Sequence, residues 1–108
     1  MLEIDITSKY GILFVRLFGE LSKKTRKKLS LEVGDLLIDV GIKNVVFNLE
    51  NVTFMDDFGY KTLLKYYHIC VKNNGKGAIC INKNNFNYDL KPFNVVDDEL
   101  SAVNFINN

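Results

Sequence analysis

Two adjacent carboxylates, Asp56 and Asp57, lie in the segment Asn48–Tyr60, NLENVTFMDDFGY. They precede a stretch with helical periodicity. Carboxylates there accept hydrogen bonds from free N–H groups and face the positive end of the helix dipole, worth about 0.3–1 kcal/mol each. One capping aspartate is ordinary, whereas two in a row make the loop a candidate for function as well. Neighbouring carboxylates alone do not build a Mg²⁺ site, and no metal ligand is assigned. A second cluster, Lys23, Lys24, Arg26, Lys27 and Lys28, is basic at five of six positions. It reads either as a solvated helix face or as a docking surface for an acidic partner, with Lys23 or Lys24 near Asp57. Glu32, Asp35 and Asp39 follow in the same segment and cut the basic surface short, so nucleic acid is not expected as a partner. Catalysis finds no support. His68 stands without a partner motif, and Cys70 and Cys80 form no C-x-x-C pair and read as buried, reduced thiols. Gly75-Lys76-Gly77 is a turn rather than a phosphate loop.

The elements that position these residues follow from periodicity. Residues 2–8 (LEIDITS) alternate apolar and polar, as a half-buried strand does. Ile12–Phe18 (ILFVRLF) is almost continuously apolar between Gly11 and Gly19, as a strand buried on both faces is. A tight antiparallel turn is expected at Tyr10-Gly11. Leu29, Val33, Leu36, Leu37 and Val40 then form one stripe of a helix over 22–40, with Ser22 as N-cap and Gly41 as stop. Val45–Leu49 is a second buried strand. Tyr60, Leu63, Leu64, Tyr67 and Val71 form a second helical stripe, ended by Asn73-Asn74-Gly75. Ala78–Ile81 is a third strand, Phe93–Val96 a fourth, and 97–106 a closing helix led by acids. Thirteen asparagines, four of them between Asn82 and Asn87, mark 82–91 as loop.

A strand, a helix and another strand imply a parallel pair, and the unit occurs twice. The loops Gly19–Ser22 and Glu50–Asp57 therefore share one edge of the sheet, beside two helix starts, where partners of open α/β sheets usually bind. The chain has 108 residues, 47% hydrophobic and 25% charged, with a net charge of +1. That suits one soluble domain and offers no global field for nucleic acid or membrane. No apolar run approaches a bilayer span, and the N-terminus lacks a signal-peptide pattern, so a cytoplasmic location is expected.

The segments GELSKKT (19–25) and NLENVTFMDDFGYKTLL (48–64) resemble the STAS domain of bacterial anti-sigma factor antagonists. Members typically carry GELD followed by a threonine, and later a D/N-L-x-x-V-x-F-[ILM]-D-S-S-G-L-x-x-LL block. The resemblance is close over residues 1–81 and looser beyond. It implies a single STAS-like domain over 1–108, with 82–91 shortened and loop-like. The implied fold is α/β, a mixed sheet with parallel β-α-β units, helices mainly on one side and an antiparallel N-terminal strand. In this reading Phe54 and Met55 anchor the loop, Asp56 starts the helix and Gly59 allows close packing.

The resemblance also implies function. In the family the first serine of D-S-S-G is phosphorylated, and the unphosphorylated form binds an anti-sigma factor that is itself the serine kinase. Here Asp57 stands at that serine and Phe58 at the next, so the serine switch has no hydroxyl to act on. Asp57 either mimics phosphorylation or meets a co-adapted partner. The second is favoured, because one carboxylate carries less charge than phosphoserine and Phe58 offers an apolar anchor. Phe58 packing inward under the second helix is the competing reading. Ser22 replaces the family's aspartate and removes a negative charge beside the site.

The implied role is a non-catalytic regulator that binds an anti-sigma factor of the serine-kinase type through Glu20, Ser22, Lys23, Lys24, Met55, Asp56, Asp57, Phe58, Gly59, Tyr60, Lys61 and Lys65. The protein is expected to need no cofactor and to be a monomer or weak dimer. The alternative is a STAS sensor or scaffold module binding a nucleotide, another anion or a lipid at the same edge, or a subunit of a signalling assembly.

Overall fold

The first strands, β1 (Leu2–Lys9) and β2 (Ile12–Leu21), pair antiparallel with Lys9 opposite Ile12. The two residues between them, Tyr10 and Gly11, both have left-handed φ angles, 58° and 72°. A two-residue hairpin needs that backbone because its twist matches the strands, and the Tyr10-Gly11 turn stands as expected. The computed structural model describes residues 1–38, 40–72 and 74–108. Asp39 and Asn73, which the sequence reading assigned to the first helix and to the stop of the second, lie outside the described residues.

Beyond the hairpin the sheet is parallel. β3 (Asn44–Met55) pairs with β2, β4 (Gly77–Cys80) with β3, and β5 (Val95–Val96) with β4, in the spatial order β1-β2-β3-β4-β5. Alternate residues of β2 enter two separate cores. Leu13, Val15 and Leu17 pack with Val45, Phe47 and Ile79 on one face. Ile12 and Phe14 pack with Val46, Ala78 and Cys80 on the other. A strand apolar at almost every position is what such two-sided burial requires.

The larger core is covered by α1 (Arg26–Leu29), a π-helical turn (Ser30–Gly34), α2 (Asp35–Ile38) and α3 (Asp57–Lys72). These contribute Leu29, Val33, Leu37, Leu63, Tyr66, Tyr67 and Cys70. The Tyr67 hydroxyl, fully buried, donates to the Gly77 carbonyl at 3.0 Å and accepts from the Asn94 N–H at 2.8 Å, tying α3 to the sheet. The other face is covered by α4 (Glu99–Asn107) through Ala102 and Ile106. The Arg16 guanidinium grips the Glu99 carboxylate at 2.7 and 2.8 Å, and Asn48 donates to Glu99 at 2.9 Å. Arg16 also reaches Asp5 and Thr7 on β1, both at 3.0 Å.

Several boundaries differ from the sequence reading. β2 and β3 run past Phe18 and Leu49 to Leu21 and Met55, and stay paired across two register shifts. Most of the expected loop Glu50–Asp57 is therefore strand. Val40 and Val71 are exposed, at 66% and 46%, and the buried stripe of α3 passes through Tyr66 and Cys70 instead. The first helical segment starts at Arg26 rather than Ser22. Residues 82–91 contain no strand or helix, as read.

Candidate functional site

The paired ends of β2 and β3, Leu21 opposite Met55, release the chain at one edge of the sheet. A single residue, Asp56, separates β3 from α3. Its Oδ1 accepts the Gly59 N–H at 2.9 Å and caps α3. Its Oδ2 accepts the Lys23 N–H at 3.0 Å, from the connection between β2 and α1. One carboxylate thus clips together the two segments that the sequence reading placed on a common edge. The backbone donors of Lys23 and then Gly59 favour the charged form and hold the carboxyl below its ordinary value.

Gly59 makes this closeness possible. A Cβ there would sit 2.0 Å from the Leu21 carbonyl oxygen, so any side chain would push α3 off the end of β2. On the other segment, Ser22 is 3% exposed. Its hydroxyl donates to the Glu20 carboxylate and accepts the Lys24 N–H at 3.2 Å, while Thr25 Oγ1 donates to the Glu20 carbonyl at 2.7 Å and accepts the Ser22 N–H at 2.9 Å. Ser22 therefore shapes a turn ahead of the helix and is not its N-cap; Thr25 occupies that position, with no side-chain bond to the helix. Buried Ser22 and Gly59 build the edge from within.

Other residues do face outward. Asp57, the first residue of α3, is exposed, as are Lys61 and Lys65 further along it. Phe58 is 40% exposed, so it does not pack under α3. The Arg26 guanidinium lies 4.8 Å and the Lys23 ammonium 5.2 Å from its ring centre. Phe54, read as an anchor of the loop, is 55% exposed at the end of β3, because the register shift opposite Gly19/Glu20 turns it outward while Val52 and Met55 pack on the larger core. It helps line a shallow recess with Glu20, Ser22, Lys23, Lys24 and Asp56.

The sequence reading passed over Tyr88. Its hydroxyl donates to the Met55 carbonyl at 3.1 Å and its ring stacks on Tyr60 at 4.8 Å. Partial desolvation pushes the phenol pKa up, and the Asp57 carboxylate adds to this. Tyr60 in turn donates to the Asp89 carbonyl at 2.7 Å. The 82–91 loop is thus pinned to the site by aromatics, and Phe86 and Tyr88 within an asparagine-rich stretch were the available signal.

Cys70 and Cys80 are buried free thiols, pushed by desolvation up to about 11 and about 12. Among the described residues no three His, Cys, Asp or Glu side chains converge as a metal site would require. No described helix is long and apolar enough to cross a membrane.

The STAS domain model matches residues 3–91. The chain belongs to the STAS domain family. A curated relative, the anti-sigma F factor antagonist of Paenibacillus polymyxa, is 29% identical over 79 residues, covering 73% of this chain and 68% of that protein. The fold matches an anti-sigma factor antagonist from Mycobacterium paratuberculosis with a TM-score of 0.87 at 18% identity, over 100% of this chain and 96% of that one. It also matches the unphosphorylated antagonist SpoIIAA with a TM-score of 0.75 at 16% identity, over 100% and 99% of the two chains. The mixed five-stranded sheet is therefore a STAS sheet, with the first helical segment and α3 on one face and α4 on the other.

Proposed function

We propose that this STAS domain is a non-catalytic, protein-binding regulator that acts as an anti-sigma factor antagonist, and that its partner is an anti-sigma factor of the serine-kinase type. The observation that carries the reading is the pairing of outward-facing Asp57 and Phe58 on a clipped, preorganised edge. A rigid edge loses little conformational freedom on binding, and an exposed aromatic held by two cations is a fitting centre for an interface. Asp57 stands where the family's phosphorylated serine would be. It has no hydroxyl to receive a phosphoryl group, so binding here is constitutive or is controlled elsewhere. The exposure of Phe58 favours a co-adapted partner over a permanently released state.

Affinity capture with a kinase-type anti-sigma factor tests this. The wild-type chain is expected to hold the partner, and Phe58→Ala to weaken it roughly tenfold or more. Asp57→Ser is expected to create a chain that the kinase phosphorylates and then releases. Unchanged affinity in both Phe58→Ala and Asp57→Ala would sink the reading.

The alternative of a small anion at this edge has less support. The α3 start is already occupied by the Asp56 carboxylate, whose two oxygens take the Gly59 and Lys23 N–H groups that an anion would use. A thermal-shift series with nucleotides and phosphate is expected to produce no stabilisation.

A further inference from the structure

We infer that the groove between α1 and α3 is a docking channel for an acidic segment of the partner protein, an inference that rests on reading the neighbouring edge as a partner-binding site. The groove is lined by Arg26, Lys27 and Ser30 from the first helical segment and by Lys61, Thr62 and Lys65 from α3. None of its four cations forms an ion pair among the described residues, where the ion pairs found belong to Arg16. Arg26 and Lys65 lie over the rings of Phe58 and Tyr66, but no carboxylate among the described residues offsets the four charges. Lys61 and Lys65 are like charges one turn apart, and Arg26 and Lys27 sit at a helix start, where the dipole disfavours them. No described residue supplies a counter-charge, which leaves the four heads open to an acidic partner.

The groove also specifies what kind of counter-charge fits. The Ser30 hydroxyl donates to the Arg26 carbonyl and the Thr62 hydroxyl to the Phe58 carbonyl, so their protons are committed. The free donors are the four cationic heads, which suit carboxylates. Arg26 is shared, since its guanidinium lies against Phe58, so a partner seated on Phe58 continues directly into the groove. The basic field is short. Exposed Glu32 and Asp35 end it along the first segment, and exposed Asp57 stands at the head of α3. A long polyanion such as nucleic acid would run into these acids, whereas a short acidic run of a protein partner would end before them.

The test uses the full chain and a fluorescein-labelled helical peptide with glutamates repeating at i, i+4, read by fluorescence anisotropy. A glutamine version of the peptide and a DNA oligomer of equal charge serve as competitors. The glutamate peptide is expected to bind and the glutamine peptide not, with affinity falling as salt rises from about 50 to about 300 mM. The double variant Lys61→Gln/Lys65→Gln is expected to weaken binding roughly tenfold. Lys83→Gln/Lys91→Gln removes the same charge from the exposed surface elsewhere and is expected to change it less than about twofold. Circular dichroism and thermal melts establish that both double variants remain folded. Equal binding of the two peptides, an equal effect of the two double variants, or tighter binding of DNA would overturn the inference. If these fail while the kinase-type partner is still captured, the groove is wrong and the edge stands. If the peptide binds through Lys61 and Lys65 but no such partner is captured, the antagonist reading fails alone.

Discussion

At the scale of single residues, Asp56 links two backbone segments through one side chain. Because both bonds come from backbone N–H groups to the charged carboxylate, its folded-state pKa lies below the ordinary 3.8. A depressed carboxylate contributes stability that is fully present above its unfolded pKa and is lost as pH falls through the folded one. Asp56→Asn is therefore expected to lower the melting temperature by a constant amount above about pH 5, with the gap to wild type closing at lower pH. Melts across a pH series read this directly, and a gap unchanged down to about pH 3 would mean that the clip is not electrostatic. Residue type alone marked Asp56 as a helix start, yet it could not say that the second oxygen reaches across to Lys23, which is a tertiary fact. It also suggested Ser22 as a cap, because serine caps helices; here the hydroxyl is spent on Glu20 and Lys24 in a local turn, a use that competes with capping.

Among the elements, α3 meets the end of β2 at Gly59. Alanine is the better helix former by about 1 kcal/mol, so in an isolated helix Gly59→Ala would stabilise. Here its Cβ would fall 2.0 Å from the Leu21 carbonyl, a backbone atom with no room to retreat. Overpacking of this kind costs about 1–3 kcal/mol, so the expected result of denaturant unfolding is a net loss, accompanied by weaker partner capture as the clip opens. A stabilised variant would refute the close contact. Element types were legible from periodicity, but their extents were not. β3 runs on to Met55 because β2 beside it does, and pairing partners leave no local trace. In the first helical segment Leu29, Val33 and Leu37 recur every four residues, and each such step overshoots an α-helical turn by about 40°. The wider π-helical turn at Ser30–Gly34 absorbs that drift and keeps all three buried. The stripe of α3 was misplaced by one position at its end. Tyr66 and Cys70 point inward and Val71 outward, and Tyr66 fits because Gly34 opposite it has no side chain.

For the whole molecule, the sheet divides two cores that hold one cysteine each. Cys70, on the inner face of α3, lies in the larger core, and Cys80, on β4 beneath α4, in the smaller. Both are buried with raised pKa values, so a thiol reagent near pH 8 reaches either one only after something opens. The larger core is sealed by helices that also build the proposed partner-binding edge. The smaller depends on a nine-residue helix, α4, fastened by the Arg16–Glu99 pair and by Asn48. Glu99→Ala removes that fastening and leaves Arg16 its bond to Asp5, so the sheet itself is spared. Hydrogen bonds to charged groups contribute about 1.5–3 kcal/mol, which translates into roughly ten- to hundredfold faster labelling of Cys80. Cys70 is expected to keep its wild-type rate, because local opening of α4 leaves the other face covered. Mass spectrometry of the labelled peptides separates the two rates. If Cys70 and Cys80 accelerate together, the two layers open as one unit. The proposed partner-binding edge would then share the stability of α4, and substitutions around Glu99 would weaken the proposed partner binding from the far side of the sheet.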